Sequence, residues 1–330
     1  MRMAERNPYS ARLPSSDQRD HLIVQVAKLY YDLERTQSQI AGELGLTRWQ
    51  VGKLLTEAKE AGIVRIEITP RAGRRTTMEL ELQRSFGVKE AIVVPTGDIE
   101  DPGLVTDSVA QAAATHLASL SPKPALMGVS WGRTMSAVAR ALPKDWCPGL
   151  HVVLINGSTA LTATNSRNSA VAEEFAQSTG GRATLLPVPA IIGSKSTRQA
   201  LEQDPVLGRV FALAEEAPVL CFGLGGLTSQ SVLLGSGYLG DDDIARLRDL
   251  RAVGDIMGRF VDRDGRVADS QLDDRTIGLR LESLAAKERV IGVAAGEDKH
   301  RIAAACLRAG YVTDLVTDEV TARRILEEGV

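Results

Sequence analysis

A glycine-rich turn at residues 128–134 has the residue types of an anion-binding loop. Its sequence is Gly-Val-Ser-Trp-Gly-Arg-Thr, and it lies between a β-branched run and a predicted helix at 135–142. Glycines let the backbone approach a ligand closely, and a helix start offers unpaired N–H groups with partial positive charge. The turn fits neither G-x-x-x-x-G-K-[ST] nor G-x-G-x-x-G. A strand-to-helix turn that binds nothing is the alternative. The predicted anion cradle comprises Gly128, Ser130, Trp131, Gly132, Arg133 and Thr134.

Polar residues also follow three other β-branched runs. One run is followed by Asn156, Gly157 and Ser158, a second contains Asp255, and a third precedes a turn that ends at Lys299. A lysine that opens a helix opposes the helix dipole unless an anion is nearby, which favours a ligand role for Lys299. Taken singly, each of these residues is also compatible with a structural or solvated role. The glycines at 223–226 predict a close-packing turn, with ligand contact as the alternative.

Two hydroxyl–amide pairs indicate two helix starts between residues 36 and 61. Thr36 with Gln39 and Thr47 with Gln50 have the spacing of capping boxes, in which each side chain satisfies a free N–H group. Gly45 lies between the two starts, and glycine readily takes the left-handed conformation that ends a helix. The segment therefore predicts a helix, a tight turn and a second helix. An ordinary helical hairpin of a core is the alternative.

The two predicted helices each have one apolar face. In the first helix this face comprises Ile40, Ala41 and Leu44. In the second it repeats at i, i+3, i+4 and i+7, and its residues are Val51, Leu54, Leu55 and Ala58. In helix-turn-helix proteins the first turns of the second helix meet base edges in the major groove. The predicted DNA-contacting residues are Thr36, Gln37, Thr47, Arg48, Trp49, Gln50 and Lys53.

The flanking segments complete a small head domain. Residues 1–20 are polar and predict a disordered arm. The next apolar residues have helical spacing and predict a first helix; they are Leu22, Val26, Leu29 and Leu33. Residues 63–68 alternate apolar and charged side chains, which predicts a strand that would form a wing. A basic hinge precedes a predicted helix at 77–86, and it either touches phosphate or is a solvated linker. Its arginines are Arg71, Arg74 and Arg75.

Beyond residue 90, short β-branched runs alternate with longer helical segments. This alternation predicts a parallel sheet with helices on both faces, in which ligands bind beyond the carboxyl ends of the strands. The runs are 91–94, 125–129, 152–155, 183–186, 219–223, 252–257, 290–294 and 312–316.

Composition bounds the class of protein. The chain has 330 residues, of which 44% are hydrophobic, enough to bury two cores. Its net charge is −3, yet residues 1–75 carry 13 Lys+Arg against 9 Asp+Glu, so the basic excess lies in the head. No apolar run approaches the ~20 residues that span a bilayer and the N-terminus lacks a signal-peptide core, which predicts a cytoplasmic protein. The histidines lack metal-ligand spacing, so no metal or cofactor is predicted. The predicted buried free thiols are Cys147, Cys221 and Cys306.

Several motifs in order resemble the SorC family of sugar-responsive bacterial transcriptional regulators. They are GVSWGRT, LLPVPAI, SGYL, AVGDIMGRF and the closing segment that begins VIGVAAGEDKHRIAAACLRAG, and the helix-turn-helix with its trailing AGIVRIEI resembles the family's DNA-binding head. The resemblance spans residues 21–328. Two positions depart from the family's pattern, because Gly52 stands where serine is frequent and Thr313 stands where asparagine is frequent.

The resemblance implies a large domain that is similar in fold to sugar-phosphate isomerases and serves as a sensor. By the resemblance, the cradle at 128–134 holds a phosphate group, and members of the family are typically tetramers built from dimers. The positions that would contact the sugar are Asn156, Gly157, Asp255 and Lys299, together with Asn165 and Asn168.

The predicted fold class is α/β, with a winged helix-turn-helix domain at 21–70, a linker helix at 71–90 and a Rossmann-like, sugar-phosphate-isomerase-like effector and oligomerisation domain at 91–330. The predicted function is sequence-specific regulation of a carbohydrate or polyol catabolic operon. The expected partners are operator DNA, a phosphorylated sugar or polyol, and further copies in a dimer or homotetramer. One alternative is an isomerase-like enzyme with Asp255, Glu297 or Lys299 as acid and base. The other is a protein-binding adaptor.

Overall fold

The structure of the protein is a computed structural model, which describes residues 16–65, 74–97, 99–157, 170–227, 233 and 237–328. The chain divides into two compact units, Met1–Pro70 and Arg71–Val330. Among the described helices, none combines the length and the apolar character needed to cross a membrane.

The first unit contains three helices, α1 (Ser16–Tyr31), α2 (Gln37–Leu44) and α3 (Arg48–Glu60). Both predicted capping boxes are present, and Gly45 ends α2 in the left-handed conformation with φ 66°. The helices bury one shared core, as the apolar spacing of α2 and α3 predicts. Its fully buried residues are Ile23, Val26, Ala27, Ile40, Ala41, Val51, Leu54, Leu55 and Ala58.

Two details of this unit differ from the prediction. Residues 16–20 belong to α1, so the polar arm predicted at 1–20 is too long, and residues 1–15 lie outside the described part. Leu33 follows the end of α1 and is 62% exposed. The buried stripe of α1 instead contains Ile23 and Ala27, because the helix stops two residues before Leu33 and its inward face is turned by one position.

The predicted wing strand at 63–68 lies only in part within the described residues. After α3 the chain turns at 61–62, and Val64 donates its N–H to the Ala58 carbonyl at 3.0 Å. Residues 63–65 carry no strand, and the rest of the predicted strand, 66–68, lies outside the described residues.

The second unit is built on a sheet of nine strands within the described residues. The strands are β1 (Glu90–Val94), β2 (Leu126–Val129), β3 (His151–Leu154), β4 (Arg182–Thr184), β5 (Val219–Gly226), β6 (Gly254–Ile256), β7 (Arg259–Val261), β8 (Arg289–Ala294) and β9 (Asp314–Asp318). Seven of them form a parallel sheet in the order β1-β9-β8-β5-β2-β3-β4.

The predicted run at 252–257 is not a parallel strand. Its strand, β6, pairs antiparallel with the extended end of β5, and β7, which the sequence pattern did not indicate, pairs antiparallel with β6. The short turn between Ile256 and Arg259 has two residues with positive φ, Met257 at 56° and Gly258 at 88°. Such a turn can only reverse the chain, which makes β6 and β7 a hairpin.

Helices cover both faces of the parallel sheet, as predicted. Alternate strand residues enter different cores; in β3, for example, Val152 and Leu154 belong to one core and Val153 to the other. The α-helices are α4 (Thr76–Phe86), α5 (Pro102–Ser119), α6 (Arg133–Ala141), α7 (Val171–Gln177), α8 (Lys195–Gln203), α9 (Pro205–Glu216), α10 (Asp241–Asp249), α11 (Ser270–Asp273), α12 (His300–Arg308) and α13 (Glu319–Glu328). Short 3-10 turns lie at Leu281–Ala286 and Glu297–Lys299.

The direction of chain winding reverses between β2 and β5. These strands are neighbours, but the chain continues from β2 to β3 on one side and from β5 to β8 on the other. In open parallel sheets, ligands bind in the crevice at such a switch point, outside the carboxyl ends of the strands. The turn 130–134 and the glycines at 223–226 lie at this crevice.

The cysteines have the state that the sequence predicts. Cys147, Cys221 and Cys306 are buried and free. Burial raises the pKa of the Cys221 and Cys306 thiols far above its ordinary value, which keeps both thiols protonated.

Candidate functional site

Ser130 fixes the turn of the predicted cradle to the neighbouring strand. Its N–H donates to the Cys221 carbonyl at 3.2 Å, and its Oγ accepts from the Gly223 N–H at 3.4 Å. The side chain is 2% exposed. Ser130 therefore joins β2 to β5 at the switch point, and its hydroxyl oxygen accepts one bond in that contact.

The start of α6 has the geometry of an anion site. Gly132 precedes the helix with φ 136°, a conformation that favours glycine, and it has no side chain with which to cap the helix. Arg133, the first helical residue, is exposed, and Thr134 faces Gly223, where a Cβ would stand 3.5 Å from Thr134 Cβ. The N-terminus of α6, a hydroxyl and a guanidinium thus meet at one place.

Gly128 plays a different part from the rest of the cradle. It lies inside β2, where an added Cβ would stand 2.5 Å from both Ile155 Cγ2 and Leu220 Cδ2. Packing between the sheet and its neighbours accounts for this glycine, so the structure places it beneath the site rather than in it.

Trp131 connects the cradle to the end of β3. Its indole Nε1 donates to the Gly157 carbonyl at 2.6 Å. Asn156 is 3% exposed and forms a β-bridge with Gly278, and among the described residues its Oδ1 has no hydrogen-bond partner. A buried amide oxygen without a partner is costly, which marks Asn156 as a candidate for a ligand contact.

Asp255 and Lys299 form the other side of the site. Asp255 is 8% exposed, and its Oδ2 accepts from the Gly258 N–H at 2.9 Å. Burial raises the pKa of the Asp255 carboxyl, and the Gly258 bond and the charge of Lys299 oppose that rise only in part. Asp255 therefore lies in the hairpin formed by β6 and β7 and not, as predicted, at the end of a parallel strand.

Lys299 already has a negative charge beside it within the protein. Lys299 lies in the 3-10 turn before α12, it is 9% exposed, and its Nζ pairs with Asp298 Oδ2 at 2.8 Å. The adjacent carboxylate supplies the negative charge that a lysine at a helix start needs. A ligand at Lys299 would join an existing ion pair.

The glycines at 223–226 bring the two sides of the site together. The sequence pattern predicted only a close-packing turn there. They end β5 as a strand rather than a turn. Gly223 faces Thr134, Gly225 faces the Asp255 carboxylate, and a Cβ on Gly226 would stand 2.3 Å from the Asp298 carbonyl oxygen. Glycine repetition at a predicted strand end was the signal available in the sequence. The predicted residues Ser158, Asn165 and Asn168 lie outside the described residues.

In the head, four of the seven predicted DNA-contacting residues line one open groove. Trp49 is 73% exposed, and Lys53 Nζ lies 5.6 Å from the centre of its ring. A cation over an indole ring keeps both side chains at the surface of α3. The groove is lined by Gln37, Arg48, Trp49, Gly52, Lys53 and Thr56.

The three remaining predicted residues form helix caps. Gln50 Oε1 accepts from the Thr47 N–H at 2.8 Å and from the Thr47 hydroxyl at 3.0 Å. Thr36 makes the same contacts with Gln39 at 2.9 and 3.0 Å. A carbonyl oxygen has two lone pairs, so the Gln50 amide must leave its cap before it can read adenine through both of its atoms.

The structure also assembles a charged cluster at the opposite end of the sheet. His116 Nδ1 lies 3.5 Å from Glu90 Oε2, and its Nε2 lies 3.3 Å from Asp314 Oδ1. These three residues could offer one metal ligand each, but Arg289 pairs with both carboxylates and offsets part of their charge. Burial alone would raise the pKa of Asp314. Hydrogen bonds from His116 and Thr313 and the positive charge of Arg289 outweigh burial and hold this pKa below its ordinary value. The sequence indicated no such cluster.

Comparison with known proteins agrees with this architecture. The Sugar-bind family model, which describes a sugar-binding domain, matches residues 71–327. The deoxyribonucleoside regulator of Bacillus subtilis (strain 168) is 29% identical over 313 residues, which cover 94% of this chain and 99% of that protein.

Solved structures are similar to nearly the whole chain or to its larger part. The full-length sorbitol operon regulator SorC from Klebsiella pneumoniae has a TM-score of 0.70 and 27% identity, covering 95% of this chain and 100% of that chain. A domain described as that of a possible sugar-binding transcriptional regulator, from Arthrobacter aurescens TC1, has a TM-score of 0.69 and 29% identity, covering 78% and 99%. These proteins are transcriptional regulators and not enzymes, which decides against the isomerase alternative. The chain belongs to the SorC family of sugar-responsive transcriptional regulators.

Proposed function

We propose that this regulator controls a carbohydrate or polyol catabolic operon and that its effector is a phosphorylated sugar or polyol. The effector binds in the crevice between β2 and β5. Its phosphate group lies at the start of α6, and its hydroxyl groups face Asn156, Gly157, Asp255 and Lys299. The protein acts in the cytoplasm, where operator DNA and phosphorylated sugars are both present.

The observation that carries this proposal is the start of α6 at the switch point, behind a glycine. Gly132 has no side chain to cap the first N–H groups of the helix, and Arg133 and Thr134 add a cation and a hydroxyl. A phosphate oxygen satisfies such N–H groups, and its charge is favourable at the positive end of the helix dipole. A neutral sugar has no group of matching charge, which favours a phosphorylated effector.

The other side of the crevice suits a polyol chain. Asn156 has a buried amide oxygen that can accept a hydroxyl hydrogen, and Asp255 has a carboxyl group whose raised pKa lets it accept or donate. Lys299 brings a cation that its pairing with Asp298 holds in place. Buried groups of this kind reject ligands that leave them unpaired, which is how the crevice would select one sugar.

In the head, the surface around the groove of α3 contacts DNA. Arg48 and Lys53 supply positive charge for the phosphates, and the exposed Trp49 lies beside Lys53. A single helix-turn-helix has a small contact area. We therefore infer a symmetric oligomer, a dimer or a homotetramer, that contacts half-sites about 34 Å apart or a multiple of that distance.

Control of DNA binding requires the effector to distinguish two states of the protein. A ligand with equal affinity for both states would shift neither, however tightly it bound. The proposal is therefore that the effector binds better to one arrangement of the oligomer. If the spacing of the heads in that arrangement matches the half-sites, the effector strengthens DNA binding. If it does not match them, the effector weakens DNA binding.

Thermal unfolding in the presence of pentose and hexose phosphates tests this function. A true effector at 100 times its Kd stabilises the protein by about 2.7 kcal/mol, and it also changes the affinity for DNA from the regulator's own promoter. Unphosphorylated counterparts of the same sugars are the matched control. Stabilisation by a free sugar alone would contradict a phosphorylated effector. DNA binding that no sugar phosphate alters would contradict the regulatory role.

A further inference from the structure

The segment that follows the head is fixed to the edge of the sheet. Glu79, which is 4% exposed, accepts from the Val93 N–H at 2.9 Å and from Arg74 Nε at 2.7 Å. Arg74 also donates to the Ala91 carbonyl at 3.0 Å, and the Arg75 N–H donates to the Val93 carbonyl at 3.2 Å. β1 is an edge strand, whose outer backbone groups need partners. The linker supplies them.

A buried carboxylate joins the turn at residues 296–299, called the effector turn below, to the start of α13. Asp318 ends β9 and is 1% exposed; its Oδ2 accepts from the Gly296 N–H at 2.9 Å. The same side chain accepts from the Thr321 N–H at 2.9 Å and from the Thr321 hydroxyl at 2.6 Å. Gly296 begins the turn that ends at Lys299, and the Lys299 N–H donates to the Gly296 carbonyl at 3.0 Å. One carboxylate therefore holds both the effector turn and α13.

The next residue faces the linker. Glu319 accepts from Arg75 Nε at 2.8 Å and from Arg323 Nη2 at 2.9 Å, and its side chain is 13% exposed. Asp318 and Glu319 are consecutive in the chain, so a displacement of the backbone at one residue also displaces the other. Together they form a continuous set of contacts from the turn at Gly296 to Arg75.

We propose that Asp318 and Glu319 transmit occupancy of the effector site to the linker. The inference rests on the proposed function, since it concerns how the same site acts on DNA binding. When an effector binds Lys299, the turn from Gly296 to Lys299 moves. Asp318 transmits that movement to the first turn of α13. The contact of Glu319 with Arg75 then changes, only a few residues along the chain from Pro70, where the head ends.

Thermodynamic coupling is reciprocal, so the link can be tested without knowing the effector. If the turn and the linker are coupled, loosening Arg75 must loosen the turn. The experiment is hydrogen exchange on the full chain for wild type, Arg75→Gln and Glu319→Gln. Arg323→Gln is the matched control, because it removes the other cation of Glu319 and leaves the linker untouched. A partly exposed ion pair makes a small contribution, so we expect exchange at residues 296–299 to be about threefold faster in Arg75→Gln and Glu319→Gln.

Wild-type exchange at 296–299 in Arg75→Gln would overturn the link, and so would an equal acceleration in Arg323→Gln. A second arm measures operator binding with ribose 5-phosphate, glucose 6-phosphate and sorbitol 6-phosphate as probes. The expected result is that Arg75→Gln reduces the effect of the active probe on operator affinity about threefold. If no sugar phosphate changes the operator affinity of the wild type, the proposed function is overturned instead. The hydrogen-exchange result would still decide whether the turn and the linker are coupled.

Discussion

The Asp255 carboxylate lies directly against the backbone of Gly225, its partner in the pairing of β5 with β6. A Cβ added at residue 225 would stand 1.8 Å from Asp255 Oδ1 and 2.6 Å from Cγ. No side chain fits in that space. The position of this buried acid, and with it one side of the effector site, therefore depends on a glycine in the neighbouring strand.

Gly225→Ala should destabilise the protein by about 1 to 3 kcal/mol, the usual cost of forcing an extra methyl group into a packed region. Urea denaturation measures the change. Gly223→Ala is the matched control, because its Cβ would stand 3.5 Å from Thr134 Cβ, an ordinary contact. Equal stability of the two variants would show that Asp255 can move aside at little cost.

Asp255→Asn should be at least as stable as the wild type at pH 7. Burial raises the pKa of this carboxyl, so the native state keeps its proton over a pH range in which the unfolded chain has lost it. The native state then binds more protons, and stability falls as the pH rises through the unfolded and then the folded pKa. The asparagine variant should lack this fall. Parallel pH profiles of the two proteins from pH 4 to 7 would refute the assignment.

Asp314→Asn should show the opposite pH dependence. The pKa of Asp314 is held below its ordinary value, so its contribution is present at neutral pH and disappears as the pH falls through the folded pKa. Removing one partner of a buried ion pair costs about 3 kcal/mol at pH 7. Asp264→Asn, in an exposed pair with Arg266, serves as the control. A penalty that persisted in acid would mean that packing, not charge, accounts for it.

Thr134→Ala and Arg133→Ala should each weaken effector binding while operator binding without effector stays unchanged. Hydrogen bonds to a charged group contribute about 1.5 to 3 kcal/mol each. Calorimetry with the sugar phosphate found by thermal unfolding measures the loss. Arg140→Ala is the matched control, because Arg140 is an exposed arginine at the other end of α6. Wild-type affinity in both cradle variants would move the phosphate site elsewhere.

Gln50→Ala should lose about 1 to 3 kcal/mol of discrimination at one base pair of the operator. Because Gln50 also caps α3, the variant loses a capping bond as well. Gln39→Ala separates the two effects, since Gln39 makes the same capping bond to Thr36 on the other helix. Binding measured on single-base operator variants should change in Gln50→Ala only. The same pattern in both variants would reduce Gln50 to a cap.

The two helices of the helix-turn-helix and the turn between them were predictable almost residue by residue, because their signals are local. A capping box spans four residues, and the left-handed Gly45 and the apolar spacing of α3 act within a few turns. The alternation of β-branched runs with helices predicted the parallel sheet for a similar reason, since each strand carries its own propensity. Where a neighbour far along the chain mattered, as for the inward face of α1, the prediction shifted by a residue.

Only the tertiary structure decided how distant segments meet. The direction of β6 depends on pairing with β5, some 30 residues away, and no local pattern specifies it. Likewise, Asp298 neutralises Lys299 through side-chain rotamers, and Glu90, His116 and Asp314 converge from three separate elements. The contact between Gly225 and Asp255 has the same origin. Residue types predicted what each group can bind, and the packing of the sheet decided which groups bind together, because non-local contacts are set by the lowest free energy of the whole domain.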